Sequence, residues 1–380
     1  MRVLIDMTYV TAISDLQKSI PIWLLRILDN IPSQNRKDFS LLIFPQMEEY
    51  FRNKYSGFTL IEFIPKGAIF PSPSFLQYIL CAKRLKKILS IKRFDCLFLQ
   101  GGVAKYFYFK HNEKVIVVEH DMKILKDRMP GILGAYNRQM ARHTAFKYWR
   151  YVDKVLAISH FTKEDILSLC PSLSPEKIEV VYNSVVLPSK SQKSNNLPES
   201  GYLLYVNTLQ EYKNVATLIK AYNLIKDRTD LPLVLVGKST DYWENVMLPY
   251  IFENRFENRI IRLEGLSNEE LRYLYEHATL FITPSTHEGF GYTPIEAAMC
   301  ECPVISSKCE ALPESTRGLL NYYEPATDER VLGEVILNTI ANLPLKESLR
   351  RISDEFRTVY SPENQLKGIM ELINKTCATN

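Results

Sequence analysis

Short runs of Val, Ile, Leu and Phe recur along the chain, separated by longer stretches in which apolar residues return every three or four positions. The short runs predict strands at Arg2–Asp6, Phe39–Phe44, Cys96–Leu99, Lys114–Glu119 and Lys154–Ser159 in the first half. In the second half they predict strands at Tyr202–Val206, Leu233–Val236, Ile260–Leu263, Leu280–Ile282 and Val304–Ser306. Two of them, Val115-Ile116-Val117-Val118 and Leu233-Val234-Leu235-Val236, are apolar without interruption, as parallel strands buried on both faces require. Stretches such as Val215–Asp227 and Glu269–His277 carry helical periodicity between them. Strand and helix alternating through both halves predict an α/β chain of two doubly wound, Rossmann-like domains.

A polar Ser/Pro/Asn stretch, Leu187 to Gly201, interrupts this alternation and reads as a linker. The expected division is a domain at 1–186, a linker at 187–200 and a second domain at 201–361. Two such domains are expected to face a cleft between the carboxyl ends of their sheets. The length of 380 residues suits two domains, and 46% hydrophobic with 24% charged residues is ordinary globular composition. Charge changes the picture more. Residues 1–190 carry a net charge of +11 and the remainder −7, so the first domain is expected to meet something anionic. The apolar start at Val3-Leu4-Ile5 is cut by Asp6, which predicts no secretory leader, and no apolar run is long enough to span a membrane. Seven scattered cysteines point to reduced thiols and a cytoplasmic setting.

The densest chemistry follows the strand Leu280–Ile282. Residues 284–298 read Pro-Ser-Thr-His-Glu-Gly-Phe-Gly-Tyr-Thr-Pro-Ile-Glu-Ala-Ala, a strand, a glycine-bearing loop and a helix. Thr293, Pro294 and Glu296 match the N-cap, N1 and N3 positions of a capping box. Loop amides and the helix N-terminus would form an anion site suited to a phosphate or diphosphate, flanked by Glu288 and Glu296. The competing reading makes Glu296 a helix cap only and Glu288 a solvated loop residue.

This segment resembles the Glu-x7-Glu signature of retaining GT-B glycosyltransferases, most closely glycosyltransferase family 4. The resemblance extends to Tyr205–Val215, to Leu235-Val236-Gly237-Lys238, to Cys302-Pro303-Val304-Ile305-Ser306 and to Ala311-Leu312-Pro313-Glu314. In the first half, Val117–Asp121 and Val155–Ser159 are similar to family segments. It implies a GT-B fold whose last helix, about 362–376, packs back on the first domain. The implied function is transfer of a sugar, with retention, from a nucleotide-diphospho-sugar to a hydroxyl of a glycan or lipid-linked glycan. The resemblance places Glu288, His120 and Lys213 at the reacting centre. It assigns donor binding to Thr208, Gly237, Lys238, Gly289, Phe290, Gly291, Tyr292, Thr293 and Glu296, with backbone amides rather than rings serving at 290–292. Lys213 would neutralise the leaving diphosphate without a metal. A nucleotide-sugar 2-epimerase of the same fold and a catalytically silent sugar-nucleotide-binding protein are the alternatives.

Departures from the family pattern concern phosphate loops. Asn207, Thr208 and Tyr212 stand where Gly and Arg are frequent, and Ser14–Ser19 replaces a glycine-rich turn, with Lys18 and Ser19 as substitutes. Ser184 likewise replaces a frequent Gly. No P-loop, no dinucleotide Gly-x-Gly-x-x-Gly, no Asp-x-Asp and no His-Glu-x-x-His occurs, so no cofactor, no metal and no nucleic acid are expected. Cys300, Cys302 and Cys309 read as small buried thiols. Two basic amphipathic runs, Phe75–Leu89 and Arg138–Arg150, suggest an anionic membrane surface as a further partner, on the cytoplasmic inner face. The competing reading packs both helices on the sheet with their lysines in solvent.

Overall fold

A computed structural model describes residues 1–17, 19–63, 75–101, 112–126 and 131–378. The chain forms two compact units, Met1–Ser184 with Pro362–Asn380, and Val185–Ser361.

The first unit holds β1 (Val3–Asp6), β2 (Phe39–Ile43), β3 (Thr59–Glu62), β4 (Cys96–Gln100), β5 (Lys114–Glu119), β6 (Lys154–Ala157) and β7 (Ile178–Val180). They form one parallel sheet in the order β3-β2-β1-β4-β5-β6-β7. The second unit repeats the scheme with β8 (Leu203–Val206), β9 (Leu233–Val236), β10 (Ile260–Leu263), β11 (Leu280–Thr283), β12 (Val304–Ser307) and β13 (Asn321–Tyr323). Its order is β10-β9-β8-β11-β12-β13, again all parallel. In each sheet the first strand is central, and the strand order reverses beside it, between β1 and β4 and between β8 and β11. That switch point is where two loops leave in opposite directions and open a crevice at the carboxyl ends.

All ten strands expected from apolar runs are present. Among the described residues three more, β3, β7 and β13, were not expected, and all three lie at sheet edges. An edge strand has one bonded neighbour and one face toward water, so Thr-Leu-Ile-Glu, Ile-Glu-Val and Asn-Tyr-Tyr need no continuous apolar run. The central strands β8, β9 and β11 are wholly buried and pack against Leu218, Ile219, Tyr222 and Trp243 of the covering helices.

Residues 187–200 lie along the helix Asn268–His277: Gln192 donates its N–H to Glu269 O, and Tyr273 donates its hydroxyl to Glu199 O. The helix Pro362–Ala378 belongs to the first unit, where Ser184 donates to Gln365 (2.7 Å) and Lys375 pairs with Glu179 (2.6 Å). Within the helix Phe75–Ile91, Ala82, Leu85 and Ile88 are buried while Lys83, Lys86 and Lys87 are exposed. The side chains of 75–81 lie outside the described residues. In the second basic run, Tyr148 and Trp149 are core residues, and the Trp149 indole donates to Glu119 (2.7 Å). These two rings of the second run are therefore taken up by packing, because a large ring on the sheet side of a helix gains most by burial.

Candidate active site in the second unit

The loops that follow β8 and β11 meet at the switch point of the second sheet. After β8 the chain passes through Asn207 and Thr208 into a short 3-10 turn, Glu211–Lys213, and then Asn214. Asn214 has φ 56° and ψ 30°, the left-handed conformation that short amide side chains tolerate best. Its side chain is used in three directions. The amide donates to Pro284 O (2.9 Å) and Ala326 O (2.8 Å), and its oxygen accepts from Thr217 (2.7 Å). This buried clamp ties the β8 loop to the β11 loop and turns Lys213 inward.

Lys213 Nζ lies 2.7 Å from Glu288 Oε1, and both side chains are largely sheltered, 13% and 14% exposed. The same oxygen accepts from Ser285 Oγ (3.0 Å) and Asn207 Nδ2 (3.3 Å). A carboxylate with three donors on one oxygen is held in a single orientation, and the ion pair is partly desolvated, where charge-assisted bonds are strong. Glu288 is therefore not a solvated loop residue. Nearby, Tyr205 is buried, and burial together with the Glu288 charge pushes its phenol well above its ordinary range. Gly237, after β9, is needed for close approach: a Cβ there would stand 2.2 Å from Asn207 O. Thr208 and Lys238 are exposed at the rim of the same strand ends.

Glu296 departs from expectation. The helix Tyr292–Met299 begins two residues earlier than the expected capping box needs, with Gly291 at its N-cap and no side-chain cap bond. Gly291 has φ 89°, and a Cβ would meet Leu312 at 2.5 Å, so a glycine both makes the turn and fits the space. Thr293 and Pro294 fall inside the first turn. Glu296 instead accepts a hydrogen bond from the Tyr275 hydroxyl (3.1 Å), across from the helix Asn268–His277. Burial, then the Glu296 carboxylate, pushes the Tyr275 phenol well above its ordinary range, so it stays a donor. The one complete capping box on this side is Ser267 with Glu270, at the start of that helix.

Gly289 and Tyr292 are half-buried beside Glu288, and the Phe290 ring is buried edge-on against Tyr292 (5.2 Å) and Tyr360 (5.4 Å). The ring is spent on packing. Tyr275 and Asn214 went unread in the sequence because each bonds a residue far from itself in the chain, and Ser285 went unread although it stands only three residues before Glu288. His120 lies in the first unit, at the carboxyl end of β5. Its Nε2 is 3.1 Å from the Gln100 amide oxygen, its ring meets Trp23 edge-on at 5.1 Å, and burial pushes its imidazole down to about 4. Lys18 lies outside the described residues, and Ser19 opens the helix Ser19–Asn30. Among the described residues no group of His, Cys, Asp and Glu is arranged to hold a metal ion.

Residues 188–342 match the family model described as "Glycosyl transferases group 1", and residues 43–187 match "Glycosyltransferase Family 4". The O-antigen chain mannosyltransferase B of Escherichia coli is 29% identical over 227 residues, 55% of this chain and 57% of that protein. The O-antigen chain mannosyltransferase RfbU of Salmonella typhimurium is 32% identical over 191 residues, 50% of this chain and 51% of that protein. The chain thus spans about half the length of these curated relatives. Anabaena HepE, solved in complex with UDP and glucose, superposes with a TM-score of 0.71 at 16% identity, covering 99% of this chain and 100% of that one.

Proposed function

We propose that this chain, which belongs to glycosyltransferase family 4 and has the GT-B fold, moves a sugar from a nucleotide-diphospho-sugar to a hydroxyl of a glycan or lipid-linked glycan, with retained anomeric configuration. The observation that carries the reading is Glu288 pinned at the switch point by Lys213, Ser285 and Asn207, directly before the helix Tyr292–Met299. Glu288 stands beside the donor sugar and Glu296 holds the ribose hydroxyls. Lys213 and the N–H groups at the start of the helix take up the charge that grows on the departing diphosphate, in place of a metal. A diphosphate brought to Lys213 competes with Glu288 for the ammonium. Donor binding and release of the Glu288 carboxylate toward the sugar are thereby coupled.

The similarity to O-antigen chain mannosyltransferases makes a mannosyl donor and a glycan acceptor the first choice. The test is calorimetry and transfer assays with UDP, GDP and ADP sugars, the product's anomeric configuration being read by NMR. Binding of a nucleotide sugar followed by transfer with inversion would overturn retention, and binding without transfer or slow hydrolysis would favour a silent binding protein. The reading extends to a cytoplasmic enzyme whose basic unit meets anionic lipid through the exposed Lys83, Lys86 and Lys87. Each such residue contributes about 1 kcal/mol near an anionic leaflet. Co-sedimentation with anionic vesicles at low salt, lost at high salt and with neutral vesicles, is the expected result.

A further inference from the structure

We propose that Glu310 is a positioning residue for Glu288, fixing the backbone from which that side chain departs. The proposal rests on the reading of Glu288 as the carboxylate beside the donor sugar. Glu310 follows β12, 22 residues downstream of Glu288, and its φ is 48°, a left-handed conformation that glutamate rarely adopts. Its carboxylate makes a two-armed contact. Oε2 accepts the backbone N–H of Glu288 at 2.8 Å, and Oε1 lies 3.0 Å from Nδ1 of His287. The next residue, Ala311, donates its N–H to the carbonyl of Glu288 at 3.3 Å, and the preceding Cys309 thiol lies 2.9 Å from the carbonyl of Thr286. Three consecutive residues of one loop therefore clasp three consecutive residues of the other.

The peptide groups on both sides of Glu288 are held by this clasp, which leaves only its side-chain torsions to place the carboxylate. Lys213, Ser285 and Asn207 then settle those. The Glu310 side chain is 18% exposed, so its bonds are sheltered and charge-assisted. A turn at this φ would be met by glycine without strain. What glycine lacks is the carboxylate. Strained backbone conformations of this kind persist where surrounding contacts over-determine them, often at functional sites.

The test compares parent, Glu310→Gln and Glu310→Gly by kcat, donor KM, thermal melting and amide exchange at Glu288. Glu310→Gly keeps the turn and loses the clasp, so kcat should fall on the order of 10²-fold, the scale of a small misplacement of a reacting group. Donor KM should stay within about threefold, because ground-state binding is made elsewhere. Glu310→Gln keeps one neutral acceptor and should fall between the two. The Glu288 amide should exchange faster in Glu310→Gly, while amides of β11 and β12 keep their protection. Unchanged kcat in Glu310→Gly would overturn the proposal, as would losses in both variants that only follow the fraction unfolded. If Glu310→Gly does not fold, Glu310→Gln decides, and parental kcat in it overturns the proposal. If the parent transfers no sugar, the reading of Glu288 falls. Amide exchange then still judges the clasp: faster exchange supports it and unchanged exchange removes it.

Discussion

The two sheets share one topology and differ at their switch points. In the second unit the crevice is a charged lattice, with Lys213, Glu288, Asn207 and Ser285 on one side of the loop and Glu310 with His287 on the other. In the first unit the corresponding strand ends are drier. His120 leans on Trp23 and Gln100, Glu119 is buried against the Trp149 indole, and Asp6 is occupied by Thr8 through both its N–H and its hydroxyl. One end is built around the Lys213–Glu288 ion pair, whereas at the other Asp6 Oδ2, Gln100 Nε2 and Trp23 Nε1 are buried without a hydrogen-bond partner among the described residues. The strand order decides where a crevice opens, and the loop residues decide what can happen in it.

The largest test of this contrast removes the charge pair. Glu288→Gln and Lys213→Ala should each lower kcat on the order of 10²-fold or more, with smaller changes in donor KM, because the charge they meet grows toward the transition state. Turnover within a few-fold of the parent in either variant would move the chemistry away from the lattice. A smaller effect is expected at the Tyr275 hydroxyl. Tyr275→Phe keeps the edge-on contact with Phe281 at 5.6 Å and removes only the bond to Glu296. Loss of a hydrogen bond to a charged group, about 1.5 kcal/mol, should weaken donor binding roughly tenfold with kcat nearly unchanged. A changed melting temperature with parental donor affinity would make Glu296 structural.

The smallest effect belongs to the dry end. The folded protein holds His120 at about 4, below the ordinary 6.5, so between these values the unfolded chain binds a proton that the folded chain refuses. Its contribution to stability is therefore complete above pH 6.5 and is lost as pH falls toward 4. His120→Gln should flatten the fall in melting temperature across that window. Equal slopes in parent and variant would show that His120 is not held neutral by the fold.

Much of this fold was legible because the buried parallel strands leave an unmistakable trace. Leu233–Val236 and Val115–Val118 have protein on both faces, and no polar residue can interrupt them. The edge strands β3, β7 and β13 left no such trace, since one side of each meets solvent. At the site, Glu288 was picked out from the glycine-bearing loop after β11, and Lys213 only through the family resemblance of the segment after β8. The capping box at Thr293 was misread for a local reason: Thr-Pro-Ile-Glu satisfies the pattern, but Gly291 at φ 89° starts the helix two residues earlier. Glu296→Ala should consequently lose no cap, and its cost should appear through Tyr275 instead.

By itself the sequence determined the α/β class, the central strands, the order of the loops and the residue types that carry charge, because each of these is written in periodicity or in neighbours along the chain. Only the tertiary structure decided that Lys213 and Glu288, 75 residues apart, share a bond. The same holds for Tyr275, which serves Glu296, and for Glu310, which reaches back 22 residues to the Glu288 amide. Those pairings depend on strand order, which brings the ends of β8, β11 and β12 side by side, and on backbone angles that let Asn214, Gly291 and Glu310 turn where they do. A hydrogen bond is specific to within tenths of an ångström, and only the packed sheet fixes distances between distant residues that finely.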